Sequence, residues 1–110
     1  MPTTTMVTKQ HDTKITFTDT PTINGVPVAP GDLAGCTLAF LLKDVDNVIP
    51  PIKQNAMINS DGSFSYQPIA SDVANVGKFQ QEWQVTYPTG QLLTFPNNGY
   101  NILKILPDLG

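Results

Sequence analysis

Arginine is absent from this 110-residue chain, and every basic residue is a lysine. Without a planar guanidinium there is no bidentate clamp for phosphates or base edges. The formal net charge is also -3, so no nucleic-acid partner is expected. Cys36 is the single cysteine, which excludes a disulfide within the chain. It reads as a small apolar residue in a strand. His11 is the single histidine, which excludes a histidine-based zinc site. It stands far in sequence from any carboxylate cluster and is not expected to act as a general base. Ser60, Ser63, Ser65 and Ser71 fall in turns or outward positions with no histidine partner. There is no glycine-rich phosphate loop. No catalytic residue, cofactor or metal is expected. No apolar run reaches 18 residues, which argues against a membrane-spanning helix and a membrane partner. The N-terminal MPTTTMVTKQHDT has no apolar core behind its lysine, unlike a secretory signal. Synthesis in a reducing cytoplasm follows. Charged residues are 14%, against the roughly 25% of an average domain. Such a surface depends little on charge and is suited to burial against partners.

What is plentiful is turn chemistry, with 8 glycines and 10 prolines. The chain is organised around Gly77 to Tyr100. Phe79, Trp83, Val85 and Tyr87 share one parity, and Lys78, Gln80, Glu82, Gln84 and Thr86 the other. That alternation is the mark of a half-buried strand. Gln81 is the polar exception on the apolar parity, and Trp83, the only tryptophan, is expected at the centre of the core. Pro88-Thr89-Gly90 turns the chain into a strand over Leu92 to Phe95. Pro96 closes it, Asn97-Asn98-Gly99 turns again, and Asn101 to Ile105 forms the last strand.

Upstream, Met1 to Asp12 is polar and threonine-rich without periodicity. Two readings are open: a mobile arm, or a strand that forms when a neighbour offers an edge. Lys14 to Thr18 reads as the first strand, with Ile15 and Phe17 inward. Asn24-Gly25 marks a tight hairpin. In Gly35 to Leu42 the core parity is Leu38, Phe40 and Leu42. Ala39 and Leu41 face outward, either under a covering loop or as contact residues. Asp44 and Asp46 form a turn and lack the glycine and later glutamate of a calcium loop. Pro50-Pro51 breaks the next strand, as at an edge or a bulged crossover. Asp61-Gly62 signals a type I′ hairpin before Phe64 and Tyr66. Residues 69–77 hold one helical turn, with Ser71 as cap and Gly77 as stop.

The strands and turns, spaced about ten residues apart, make a single β-sandwich. The expected organisation is a flexible arm over 1–12, a sandwich over 13–106 and a tail over 107–110. The wording Asp61-Gly62-x-Phe64-x-Tyr66, Gly77-x-Phe79, Trp83-x-Val85-Thr86-Tyr87-Pro88-x-Gly90 and Thr94-Phe95-Pro96-x-x-Gly99-Tyr100 resembles a phage domain. It is similar to the immunoglobulin-like N-terminal domain of tailed-phage baseplate upper proteins, a type found also in head fibres and neck proteins. The similarity runs from about Ile15 to Ile105. It implies an all-β, immunoglobulin-like antiparallel β-sandwich of about seven to nine short strands with one short helical turn.

It further implies a non-enzymatic virion protein that contacts major capsid, neck or tail proteins. The chain ends after the sandwich, with no long helix or receptor-binding region, which favours a capsid-decoration or neck accessory over a baseplate or tail-fibre adaptor. A homo-oligomer is compatible with this. Expected contact residues are Thr3, Thr4, Thr5, Met6 and Val7 in the arm, the outward pair Ala39 and Leu41, and the edge prolines Pro50 and Pro51. A second reading is a glycan-binding sandwich, with Tyr66, Trp83, Tyr87 and Tyr100 stacking on sugars. The inward parity of most of them argues against it.

Overall fold

Strand β8, Gly77–Thr86, is the axis of the molecule. Its alternation is carried through in full: Phe79, Gln81, Trp83 and Val85 are buried, and the residues between them turn to the opposite side. The computed structural model describes residues 2–96 and 99–108, without the side chains of residues 2 and 3. The turn expected at Asn97-Asn98 and the end of the expected tail therefore lie outside the described residues.

On one side of β8 lies β5, Thr37–Asp44, antiparallel, with Phe40 opposite Trp83. Two strands share the other side. β9, Leu92–Phe95, runs along Trp83 to Thr86, and β10, Tyr100–Leu106, along Gly77 to Gln81. The Phe95–Pro96 peptide bond between them is cis. Beyond β10 lies β1, Pro2–Lys9, in parallel register from Pro2 opposite Tyr100 to Lys9 opposite Leu106. The expected mobile arm is thus corrected to an edge strand of the chain's own sheet. Threonine favours extended backbone, and β10 supplies the edge. The sheet is accordingly mixed, not purely antiparallel.

Strand β6, Ile52–Ile58, links two layers. Ile52 to Ala56 pair with β5, whereas Met57 and Ile58 pair with β7, Phe64–Tyr66. β7 in turn pairs with β2, Phe17–Asp19. The change of layer falls between Ala56 and Met57, within the strand that follows the break at Pro50-Pro51 and not at the prolines themselves. The second layer folds over the inner face of the first through aromatic rings. Phe40 stacks on Phe17 and Tyr66, with centroids 5.6 and 4.5 Å apart. Trp83 meets Phe40 and Phe64 at 5.2 and 5.6 Å. Each such ring, fully buried, contributes about 1.5–3 kcal/mol from its apolar surface. The fold is therefore an all-β, sandwich-like domain. It has ten strands among the described residues, including the small hairpin β3, Thr22–Ile23, and β4, Val26–Pro27.

The remaining differences from expectation are local. The first strand of the second layer starts at Phe17, not Lys14, and Ile15 is exposed. Residues 10–16 instead carry the chain from one layer to the other. There are two 3-10 turns, Pro30–Leu33 and Ala70–Val73, where one helical turn was expected. Asp72, not Ser71, caps the second by accepting the Ile69 N–H at 2.9 Å. Asn24 and Gly25 both have positive φ, +52° and +84°, as a type I′ hairpin requires. At Asp61-Gly62 only Gly62 does, at +87°. Its N–H bonds Asn59 O, so this is a three-residue loop with a glycine bulge.

Candidate functional site

The face of the large sheet that points away from the second layer is the main surface these strands build. Strand alternation alone decides what stands on it. In register, Lys53 lies opposite Leu41, and Leu41 opposite Glu82. One row along, Lys43 faces Gln80, Gln80 faces Ile102, and Ile102 faces Thr5. In the next row, Lys78 faces Lys104, which faces Val7. Lys9 shares the outward parity of Thr5 and Val7 and is exposed.

The chemistry of this face is segregated. Five of the six lysines stand on it, and Glu82 is the one carboxylate in the outward positions of its five strands. Burial pushes the Glu82 carboxyl above the ordinary glutamate value. Lys53 Nζ donates to Gln84 Oε1 at 3.4 Å. Among the described residues no lysine forms an ion pair; the pair found joins His11 Nδ1 to Asp108 Oδ2 at 3.0 Å. A shallow hollow of about 300 Å³ opens between Leu41, Lys43, Pro51, Lys53, Gln80 and Glu82.

The expected contact residues divide by place. Leu41 and Pro51 meet at this hollow, and Ala39, 9% exposed, lies two residues along the same strand face. Pro50 is exposed just before β6. Thr5 and Val7 stand on the same face at its β1 border. Met6 packs against the core instead, which removes it as a contact residue. Thr4 lines a separate cleft of about 470 Å³ at the end of the sandwich, with Asp19, Thr22, Asn24, Pro96 and Asn101. Thr3 belongs to β1, and its side chain lies outside the described residues. The lysines and Glu82 were not singled out from the sequence. Only Lys78 and Glu82 have an outward parity there, and only the sheet order brings the six residues together.

Other polar groups serve the fold. In the end cleft, Asp19 Oδ2 accepts from Trp83 Nε1 and Asn101 Nδ2, both at 3.1 Å, and Oδ1 accepts the Thr20 N–H at 2.8 Å. Asn101 Nδ2 also donates to Gln81 Oε1 at 2.9 Å, which accounts for the polar residue on the apolar parity of β8. Asp44 accepts the backbone N–H groups of Asp46, Val48 and Ile49 at 3.0–3.1 Å. These bonds, the one from Asp46 foremost, hold its carboxyl below the ordinary value. Its oxygens thus close a turn, as the sequence suggested. No group of three or more metal-ligating side chains occurs among the described residues. Cys36 is half-buried against the core just before β5. Trp83 and Tyr66 are buried and present no ring for sugar stacking.

β1 also has a free edge: among the described residues no strand pairs with its outer side. It is eight residues long, with Lys9 as its only charged side chain. No helix among the described residues is long and apolar enough to cross a membrane. No family model matches the chain, and no curated protein matches it.

Proposed function

We propose that this chain is a non-enzymatic structural module of a tailed-phage virion, made in the host cytoplasm and docked on the capsid exterior or neck. The observation that carries the reading is the free edge of β1. An edge strand of this length, with one charge and no strand paired to its outer side among the described residues, is a template for main-chain pairing with another protein. The phage-like wording between Asp61 and Tyr100 supports the same setting. Docking is then by the edge of a folded strand, not by an unfolded arm. Repetition on a symmetric shell turns weak single contacts into stable attachment.

The test is mass spectrometry and co-sedimentation on purified particles of the phage that encodes the chain. A fixed number of copies per lattice site or neck position is expected. Particles free of the chain, with none recovered after adding it back, overturn the reading.

A further inference from the structure

The charges of the molecule are sorted by face in a way that neither its net charge nor its sequence order displays. We infer that the outer face of the large sheet docks onto an acidic protein surface, with the lysines of β1, β5, β6, β8 and β10 as the rim of the interface. This deepens the docking reading above and rests on it.

The first argument is charge. Five lysines and a single carboxylate leave this face strongly positive, on a chain whose formal net charge is -3. The second is the placement of the lysines. Lys78 and Lys104 stand directly opposite each other on antiparallel strands, an arrangement that costs stability in the free domain. Carboxylates from a partner would relieve that repulsion. The third is the layout. Around the single carboxylate of Glu82, the middle of the face carries Leu41 and the amides of Gln80 and Gln84, with Ala39 and Ile102 nearly buried beside them, while lysines border it on both sides. An apolar or amide centre with a charged rim is the anatomy of a protein–protein interface.

Polyanions of other kinds fit less well. A phosphate backbone laid across the sheet would meet the Glu82 carboxylate at its centre, and there is no arginine to hold it. A second copy fits less well too, because most of the chain's own acids are engaged. Asp19, Asp44, Asp61 and Asp72 each accept intramolecular hydrogen bonds, and Asp108 pairs with His11. Five strands about 4.8 Å apart and roughly seven residues long give a flat area of roughly 20 by 23 Å. That is small beside a standard interface, so each contact is weak and salt-sensitive and many copies act together.

The test uses the full chain and a triple variant, Lys43→Gln/Lys53→Gln/Lys104→Gln, with Lys14→Gln as the control off the face. All three lysines of the triple variant are exposed, and only the Lys53–Gln84 contact is lost. Poly-L-glutamate serves as the acidic polypeptide probe, followed by amide shift mapping at low salt. Shifts are expected across β5, β6, β8 and β10. Affinity should fall roughly tenfold in the triple variant and by a similar factor between 50 and 300 mM salt, as for steered charge pairs. Lys14→Gln should bind as the unaltered chain does.

Shifts lying elsewhere, or a triple variant that binds unchanged, overturn the inference. So does tighter binding to duplex DNA or to phosphatidylglycerol vesicles, or a dimer by light scattering that the triple variant dissolves. Particle co-sedimentation separates the two proposals. If particles bind the triple variant as well as the unaltered chain, the face is wrong and the virion reading stands. If poly-L-glutamate maps to the face and particles bind neither chain, the face stands and the virion reading falls.

Discussion

Asp72 offers the sharpest test of how the two layers are held together. It is 3% exposed, and its two oxygens take three donors. Oδ2 accepts the Tyr66 hydroxyl from β7 and the Ile69 N–H at 2.9 Å, while Oδ1 accepts Gln54 Nε2 from β6 at 3.2 Å. Asp72→Ala strands all three. The Tyr66 hydroxyl is buried and loses a bond to a charged acceptor, about 1.5–3 kcal/mol. The other two donors sit closer to solvent and contribute about 0.5–1 kcal/mol each. The expected loss is about 2.5–5 kcal/mol. Asp72→Asn behaves differently. Its remaining oxygen can take the Oδ2 position, and its amide can face Gln54, which turns its own amide to accept. Only charge assistance is lost, at about 1 kcal/mol. Tyr66→Phe should cost about 1–1.5 kcal/mol. The double variant Tyr66→Phe/Asp72→Ala should cost less than the sum of its singles, because the stranded hydroxyl is gone. Urea unfolding followed by the fluorescence of Trp83, the single tryptophan and fully buried, measures all four. If Asp72→Asn is as damaging as Asp72→Ala, or Asp72→Ala costs under 1 kcal/mol, the hub described for this carboxylate is wrong.

Thr8 is buried in β1 with no partner for its hydroxyl among the described residues, so Thr8→Val should stabilise by about 1 kcal/mol in calorimetry. Glu82 has a raised carboxyl pKa in the fold, so its ionisation detracts from stability as pH rises above about 4.5. Glu82→Gln should therefore stabilise at pH 7, within the ~0.5 kcal/mol range of surface changes, and give no gain at pH 3.5. Desolvation and the Asp72 carboxylate hold the Tyr66 phenol well above its ordinary value of 10. The unfolded chain then ionises first, so stability is full below pH 10 and declines as pH climbs past it. Tyr66→Phe should flatten that decline in denaturation series between pH 9 and 11.

Much of this architecture is legible in local wording. The parity of Phe79, Gln81, Trp83 and Val85, the pairing of Asn24 with Gly25, and the core set Leu38, Phe40 and Leu42 all follow from period-2 alternation and turn chemistry. What fails is whatever depends on distant pairing. β1 has no apolar alternation, and its partner β10 lies over ninety residues away, so the threonines of PTTTMVTK leave a strand open without deciding it or naming its partner. Ile15 is misplaced because alternation was read through a segment that is a connection. The outer face of the large sheet is half visible. Ala39 and Leu41 were read as outward, and Pro51 as an edge residue. Their meeting with Lys43, Lys53 and Glu82 needs the order of strands, which single-strand parity cannot supply.

The parallel pairing of β1 with β10 has a mechanical consequence. Pro2 sits beside Tyr100 at one end of the ladder, and Lys9 beside Leu106 at the other. A pull that drew Pro2 and Leu106 apart would load this ladder lengthwise, so its hydrogen bonds would share the force instead of opening singly. Resistance to forced unfolding is governed by the barrier, not the equilibrium, and a sheared ladder places that barrier at the first event. Under such a load the domain would hold its shape until the whole strand slipped at once.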